Sequence, residues 1–140
     1  MSALLLLALG CNPGCELNAG INPSCGLVVN GGPLRLGDER SRVERRLGEP
    51  RVDDLGEHGL LLSWPELFVS ALIVDDRVEV AYANPGFLGT TTSKISPGSP
   101  RSDVESALPD AAVEPFTGAL QGDGITVTWT GEEAGTIAVW

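Results

Sequence analysis

The 140-residue sequence has one histidine, one lysine and no long apolar stretch. Its longest uninterrupted apolar run, Ala3 to Leu9, is seven residues. A helix needs roughly 20 such residues to cross a bilayer, so no spanning helix is encoded. With His58 as the only histidine, lying between Glu57 and Gly59, no Ser-His-Asp set can be picked out. No Gly-x-Ser-x-Gly elbow, phosphate-binding loop or dinucleotide fingerprint occurs, so the sequence points to no enzymatic activity and no cofactor. Positive charge is also scarce. The net charge is −10, which argues against binding nucleic acid through a basic surface. From Ser102 to Trp140 there is no Lys or Arg but there are seven acids, Asp103, Glu105, Asp110, Glu114, Asp123, Glu132 and Glu133.

The cations that are present are concentrated. Five of the nine, Arg40, Arg42, Arg45, Arg46 and Arg51, fall within twelve residues. Arg42, Arg45 and Arg46 are candidate contacts to an acidic partner or to anionic lipid headgroups. The alternative is a solvated helix face balanced by Asp38, Glu39, Glu44 and Glu49. Trp is enriched at binding hot spots. Trp140 is the fourth candidate contact, while Trp64 and Trp129 read as core. Asp53, Asp54, Glu57 and His58 could approach a divalent cation, but their spacing matches no known metal loop, and a solvated acidic turn is the expectation.

The N-terminal segment Met1–Gly10, MSALLLLALG, has the apolar run of an export signal, and Gly10 is a small residue before Cys11. Ala8-Leu9-Gly10-Cys11 resembles a bacterial lipobox, which implies lipid on Cys11 and cleavage before it. An N-terminal strand or helix ending at a structural cysteine, or an ordinary cleaved signal, are the rival readings. If Cys11 carries lipid, Cys15 and Cys25 remain as an even pair able to close a disulfide. A thiol metal site is the rival there, and it lacks a nearby fourth ligand. Under the sorting rule of many Gram-negative lipoproteins, Asn12 after the lipidated cysteine implies an outer-membrane address facing the periplasm.

Residues 11–33, rich in Gly, Asn and Pro, read as a lipidated tether. An internal repeat follows. RLGDERSRVERRLGE (35–49) and SPGSPRSDVESALPD (96–110) share six of 15 positions without gaps: Gly37/Gly98, Arg40/Arg101, Ser41/Ser102, Val43/Val104, Glu44/Glu105 and Leu47/Leu108. Asp38 and Ser99 are expected as helix N-caps, and Pro100 as a first helical residue. Val43 and Leu47, like Val104 and Leu108, share a helix face. Gly48 with Pro50, and Pro109, stop the two helices. The strands expected after them include 59–64, 67–74, 77–83, 125–130 and 136–140. The expected fold is therefore α+β, two tandem units (34–95 and 96–140), each a short helix packed on an antiparallel sheet.

The motif Gly-x-x-Arg-Ser-x-Val-Glu-x-x-Leu, with the Gly-Glu-Pro stop after its first copy and strands bearing Trp, resembles the SmpA/OmlA outer-membrane lipoproteins, which include the BamE assembly factor. It also resembles the related tandem-repeat fold of the β-lactamase inhibitory protein. Gly37, Val43, Leu47, Gly48 and Pro50 match the family turn and helix; Gly98, Val104 and Leu108 match in the second copy, where Pro109 and Ala111 depart. The resemblance implies a lipid-anchored, non-catalytic module that binds an envelope protein in outer-membrane assembly or maintenance. Its alternative implication is a proteinaceous enzyme inhibitor.

Overall fold

The computed structural model describes residues 15–140. Cys11 and the apolar run before it lie outside the described residues. Strand makes up 41% of the structure and helix 17%. Three strands, β1 (Ile21–Asn22), β2 (Gly26–Val29) and β3 (Gly32–Arg35), form a small antiparallel sheet in that order. Helix α1 (Arg40–Leu47) leads into β4 (Arg51–Asp54), β5 (Leu60–Trp64), β6 (Val69–Val74) and β7 (Arg77–Ala83). Helix α2 (Arg101–Ala107) leads into β8 (Ala112–Val113), β9 (Leu120–Gly122), β10 (Ile125–Thr130) and β11 (Glu133–Val139).

The expected pair of helix-on-sheet units is not what forms. All eight strands from β4 to β11 join one antiparallel sheet, ordered β4-β5-β6-β7-β11-β10-β9-β8. The junction is β7 with β11, where Ala83, Tyr82 and Ala81 face Ile137, Ala138 and Val139. Separate units would leave both of these apolar strands with an unpaired edge, and pairing them removes it. The helices are also minor. Val43 in α1 and Val104 in α2 are the one fully buried residue of each. Two such helices cannot cover a face eight strands wide.

The remaining cover comes from the segment expected to be a tether. Ile21, Leu27 and Leu34 are wholly buried, Val29 is nearly so, and all four join the same core as Leu62, Val69, Ala71, Val127 and Ile137 of the large sheet. Asn30 and Gly31, both at positive φ, make the two-residue turn between β2 and β3. Pro33 is tolerated because β3 is an edge strand. Any leash thus ends by residue 15, where Cys15 is joined to Cys25 by a disulfide with the Cα atoms 5.3 Å apart.

The two copies of the repeated motif hold equivalent backbone positions against the large sheet. Gly37 N–H donates to Val78 O at 2.8 Å, and Gly98 N–H to Ala134 O at 2.7 Å. Arg40 N–H donates to Asp76 O at 2.9 Å, and Arg101 N–H to Glu132 O at 2.8 Å. The expected N-caps do not cap: the helices begin one residue later, after Glu39 and Pro100, and their first N–H groups are taken by hairpin carbonyls. Asp38 and Ser99 serve the preceding turn instead: Asp38 Oδ2 accepts from Arg35 N–H at 3.4 Å, and Ser99 Oγ from Ser96 N–H at 3.0 Å.

Candidate binding surface

Directly opposed residues of an antiparallel sheet project to the same face. One such row crosses the whole large sheet: Arg51, Ser63, Ser70, Tyr82, Ala138, Thr126, Gln121 and Ala112. The neighbouring row on the first half is Asp53, Leu61, Leu72 and Val80. The core residues Leu62, Ala71, Ala81, Val139 and Ile125 occupy the other face. Ser63, Tyr82, Ala138, Thr126, Leu61, Leu72 and Val80 are half-exposed, so this second face is open to solvent.

Alternation along β7 would put Val78, Val80 and Tyr82 together. A bulge intervenes: Ile73 opposes Val78, yet the adjacent Leu72 opposes Val80. The extra residue reverses the facing of everything beyond it. Val78 therefore enters the core, while Val80 and Tyr82 turn to the open face. Sequence periodicity could not reveal this, and it is why Tyr82 was not legible as a surface residue. Burial, and secondarily the Glu79 carboxylate, push the Tyr82 phenol above its ordinary value. Polar groups on this face are tied to each other. Asn84 Nδ2 donates to Ser70 Oγ at 3.0 Å, Ser70 Oγ to Ser63 Oγ at 3.2 Å, and Thr136 Oγ1 to Asn84 Oδ1 at 3.5 Å.

The four candidate contact residues are not brought together. Arg46 is committed to the fold: it donates to Pro33 O and lies 3.5 Å from Asp38 Oδ2. Its side chain also lies over Gly32, in a cleft of about 540 Å³ lined by Val29, Leu47, Trp64 and Leu67. Arg42 and Arg45 are exposed on α1. Trp140 lines a different cleft of about 500 Å³ with Leu108, Asp110, Gln121 and Asp123. The residue is 48% exposed, and its Nε1–H donates to Thr126 Oγ1 at 2.7 Å.

No protein-family model, curated protein or solved structure matches this chain.

The acidic turn around His58 is partly strand. Arg51 to Asp54 form the edge strand β4, where charged side chains are tolerated because one side meets water. Asp53 Oδ2 is 3.5 Å from Arg51 Nε, and Asp54 Oδ1 accepts from Gly56 N–H at 2.8 Å. His58 and Glu57 project into solvent. Among the described residues, no three His, Cys, Asp or Glu side chains group closely enough to hold a metal ion. The two tryptophans expected in the core differ. Trp64 is buried and its Nε1–H donates to Gly48 O at 2.9 Å. Trp129 is half-buried under the Arg101 guanidinium, 4.6 Å from the ring centre, and donates to Gly118 O.

Proposed function

We propose that this chain is a lipid-anchored bacterial envelope protein that binds a protein partner, without chemistry of its own, through the open face of its large sheet. The observation that carries this reading is the row across the eight strands. Between Arg51 and Ala112 it holds Ser, Ser, Tyr, Ala, Thr and Gln, with no charge. These six positions run without a break from β5 to β9 across the sheet, with Ser70 the buried one among them. The row itself carries no charge, as at an interface centre, and the Glu79 carboxylate lies near its central Tyr82. Tyr82 stands at the middle of the strip, where it would be the anchor. The surrounding charge of −10 favours a partner with a basic rim. The anchor rests on the lipobox-like segment ending at Cys11, and the envelope context on the family resemblance of the repeated motif. Inhibition of an enzyme through the same face is the second reading, favoured by the central Tyr82.

The test is photo-crosslinking from a reactive residue placed at Val80 or Leu72, which flank Tyr82 on the open face, with Ser102 on α2 as the control. A discrete adduct from the sheet positions alone is expected. Once its partner is identified and purified, Tyr82→Ala should weaken binding about tenfold or more, as an aromatic anchor does. Arg42→Ala should leave it unchanged, and added salt should weaken it. Adducts from Ser102 but not from the sheet would overturn the reading. Loss of the partner's enzymatic activity on stoichiometric binding would select the inhibitor.

A further inference from the structure

The position of the disulfide fixes which end of the molecule can meet a membrane. Cys15 is held to Cys25 at the β1–β2 end of the small sheet. Only Asn12, Pro13 and Gly14 lie between it and Cys11. Four residue steps span at most roughly 14 Å when fully extended. A lipid on Cys11 therefore leaves the folded domain no room to stand away from the headgroups. The same end carries an aromatic. The Gly124 carbonyl accepts from Ser24 N–H and from Trp140 N–H, each at 3.1 Å, which joins the β1–β2 loop, the β9–β10 turn and Trp140 at one point. The approach is too close for a side chain: a Cβ on Gly124 would fall within 2.8 Å of the Ser24 backbone. Ser24 adjoins Cys25, so the Trp140 backbone meets the disulfide loop at this end of the sheet, while its indole lies on the open-face side against Thr126.

We propose that Trp140 and the disulfide end dock on a phospholipid surface, with the half-exposed indole at the water–lipid interface. This rests on the lipid-anchor reading of Cys11. An indole with an apolar body and one satisfied N–H suits that interface. Asp110 and Asp123 line the same cleft as Trp140. Their charge disfavours anionic headgroups, and the occupant is a zwitterionic phospholipid surface. Trp140 is then a membrane contact, and the protein partner takes the centre of the open face.

The experiment uses the full chain expressed in a bacterium with labelled palmitate, purified and reconstituted into vesicles of zwitterionic phospholipid with brominated acyl chains. Label in the wild type and none in Cys11→Ala is the condition for the anchor. Tryptophan quenching by the brominated lipid should then be about twofold or more greater in the wild type than in Trp140→Phe, since an interfacial indole lies close to the acyl region. A ten-residue Gly/Ser insertion after Pro13 leaves the folded domain untouched and should remove most of that difference. Replacing the zwitterionic lipid by an anionic one at low salt should reduce it. Labelled protein with equal quenching in wild type and Trp140→Phe would overturn the membrane docking while leaving the anchor intact. Absence of label would overturn both.

Discussion

Val43 and Val104, 61 positions apart in the chain, are each wholly buried, and each lies in a helix whose first N–H binds the turn of a strand hairpin. Their surroundings are built by the same backbone bonds, so their contributions should be alike. Val43→Ala and Val104→Ala should each lower stability by about 2 kcal/mol, from lost burial and the small cavity left behind. Chemical denaturation of each variant measures this. A cost near zero at either position would mean that its helix does not shelter the valine.

The chain's single tyrosine permits a direct reading of the open face. The folded-state pKa of Tyr82 lies above its unfolded value because burial, then Glu79, disfavours the phenolate. The stabilisation is therefore complete below the unfolded value, about 10, and is lost as pH rises through the higher folded value. Ultraviolet titration of the phenolate should show a transition above 10 in the folded protein and near 10 in denaturant. Glu79→Gln should lower the folded value in part, leaving the larger contribution of burial.

Glu114 gives the opposite sign. Its carboxylate accepts from the Thr117 hydroxyl at 2.6 Å and from the Thr117 and Phe116 N–H groups, and these bonds hold its pKa below the usual carboxylate value. Its contribution is present above the unfolded value, about 4.3, and is lost as pH falls through the lower folded value. Carbon NMR of the side-chain carboxyl should place its midpoint below the ordinary glutamate value. Thr117→Val should raise it by removing the hydroxyl bond.

The Cys15–Cys25 bridge closes a loop with a sequence separation of 10. Replacing both cysteines with serine should cost about 2–3 kcal/mol through the entropy regained by the unfolded chain. Denaturation midpoints of the oxidised protein and the double variant would measure it. Non-reducing peptide mapping should recover the two cysteines in one linked fragment.

Much of the strand content was legible because β5, β6, β7 and β10 carry continuous or alternating apolar residues between turn signals. The repeat marked the equivalent places of Gly37 and Gly98, Val43 and Val104. What was not legible depended on distant parts of the chain. The joining of β7 to β11 depends on edges that alternation along one strand does not describe. Residues 11–33 read as a tether because they are rich in Gly, Asn and Pro. Leu27, Val29 and Leu34 were nevertheless an apolar set around an Asn-Gly turn, which is the signal that could have identified a hairpin. β4 was hidden by its charges, which suit an edge but not an alternating pattern. Trp140 was chosen for its residue type, and it is exposed. Tyr82 was missed because a single bulge decides which way it faces. Arg46 was chosen for its charge, and the fold uses that charge to hold α1 to β3.

The strand order has a consequence for how the molecule is made. The two halves of the large sheet meet through β7 and β11, and β11 follows every other described strand in the chain. Until β11 arrives, β7 has an unpaired backbone edge and no neighbour to fill it. A chain in that state can accept β11 from another copy, which would yield an exchanged dimer. Truncation before Glu133 should therefore increase dimers and aggregates, even though the finished monomer satisfies both strands.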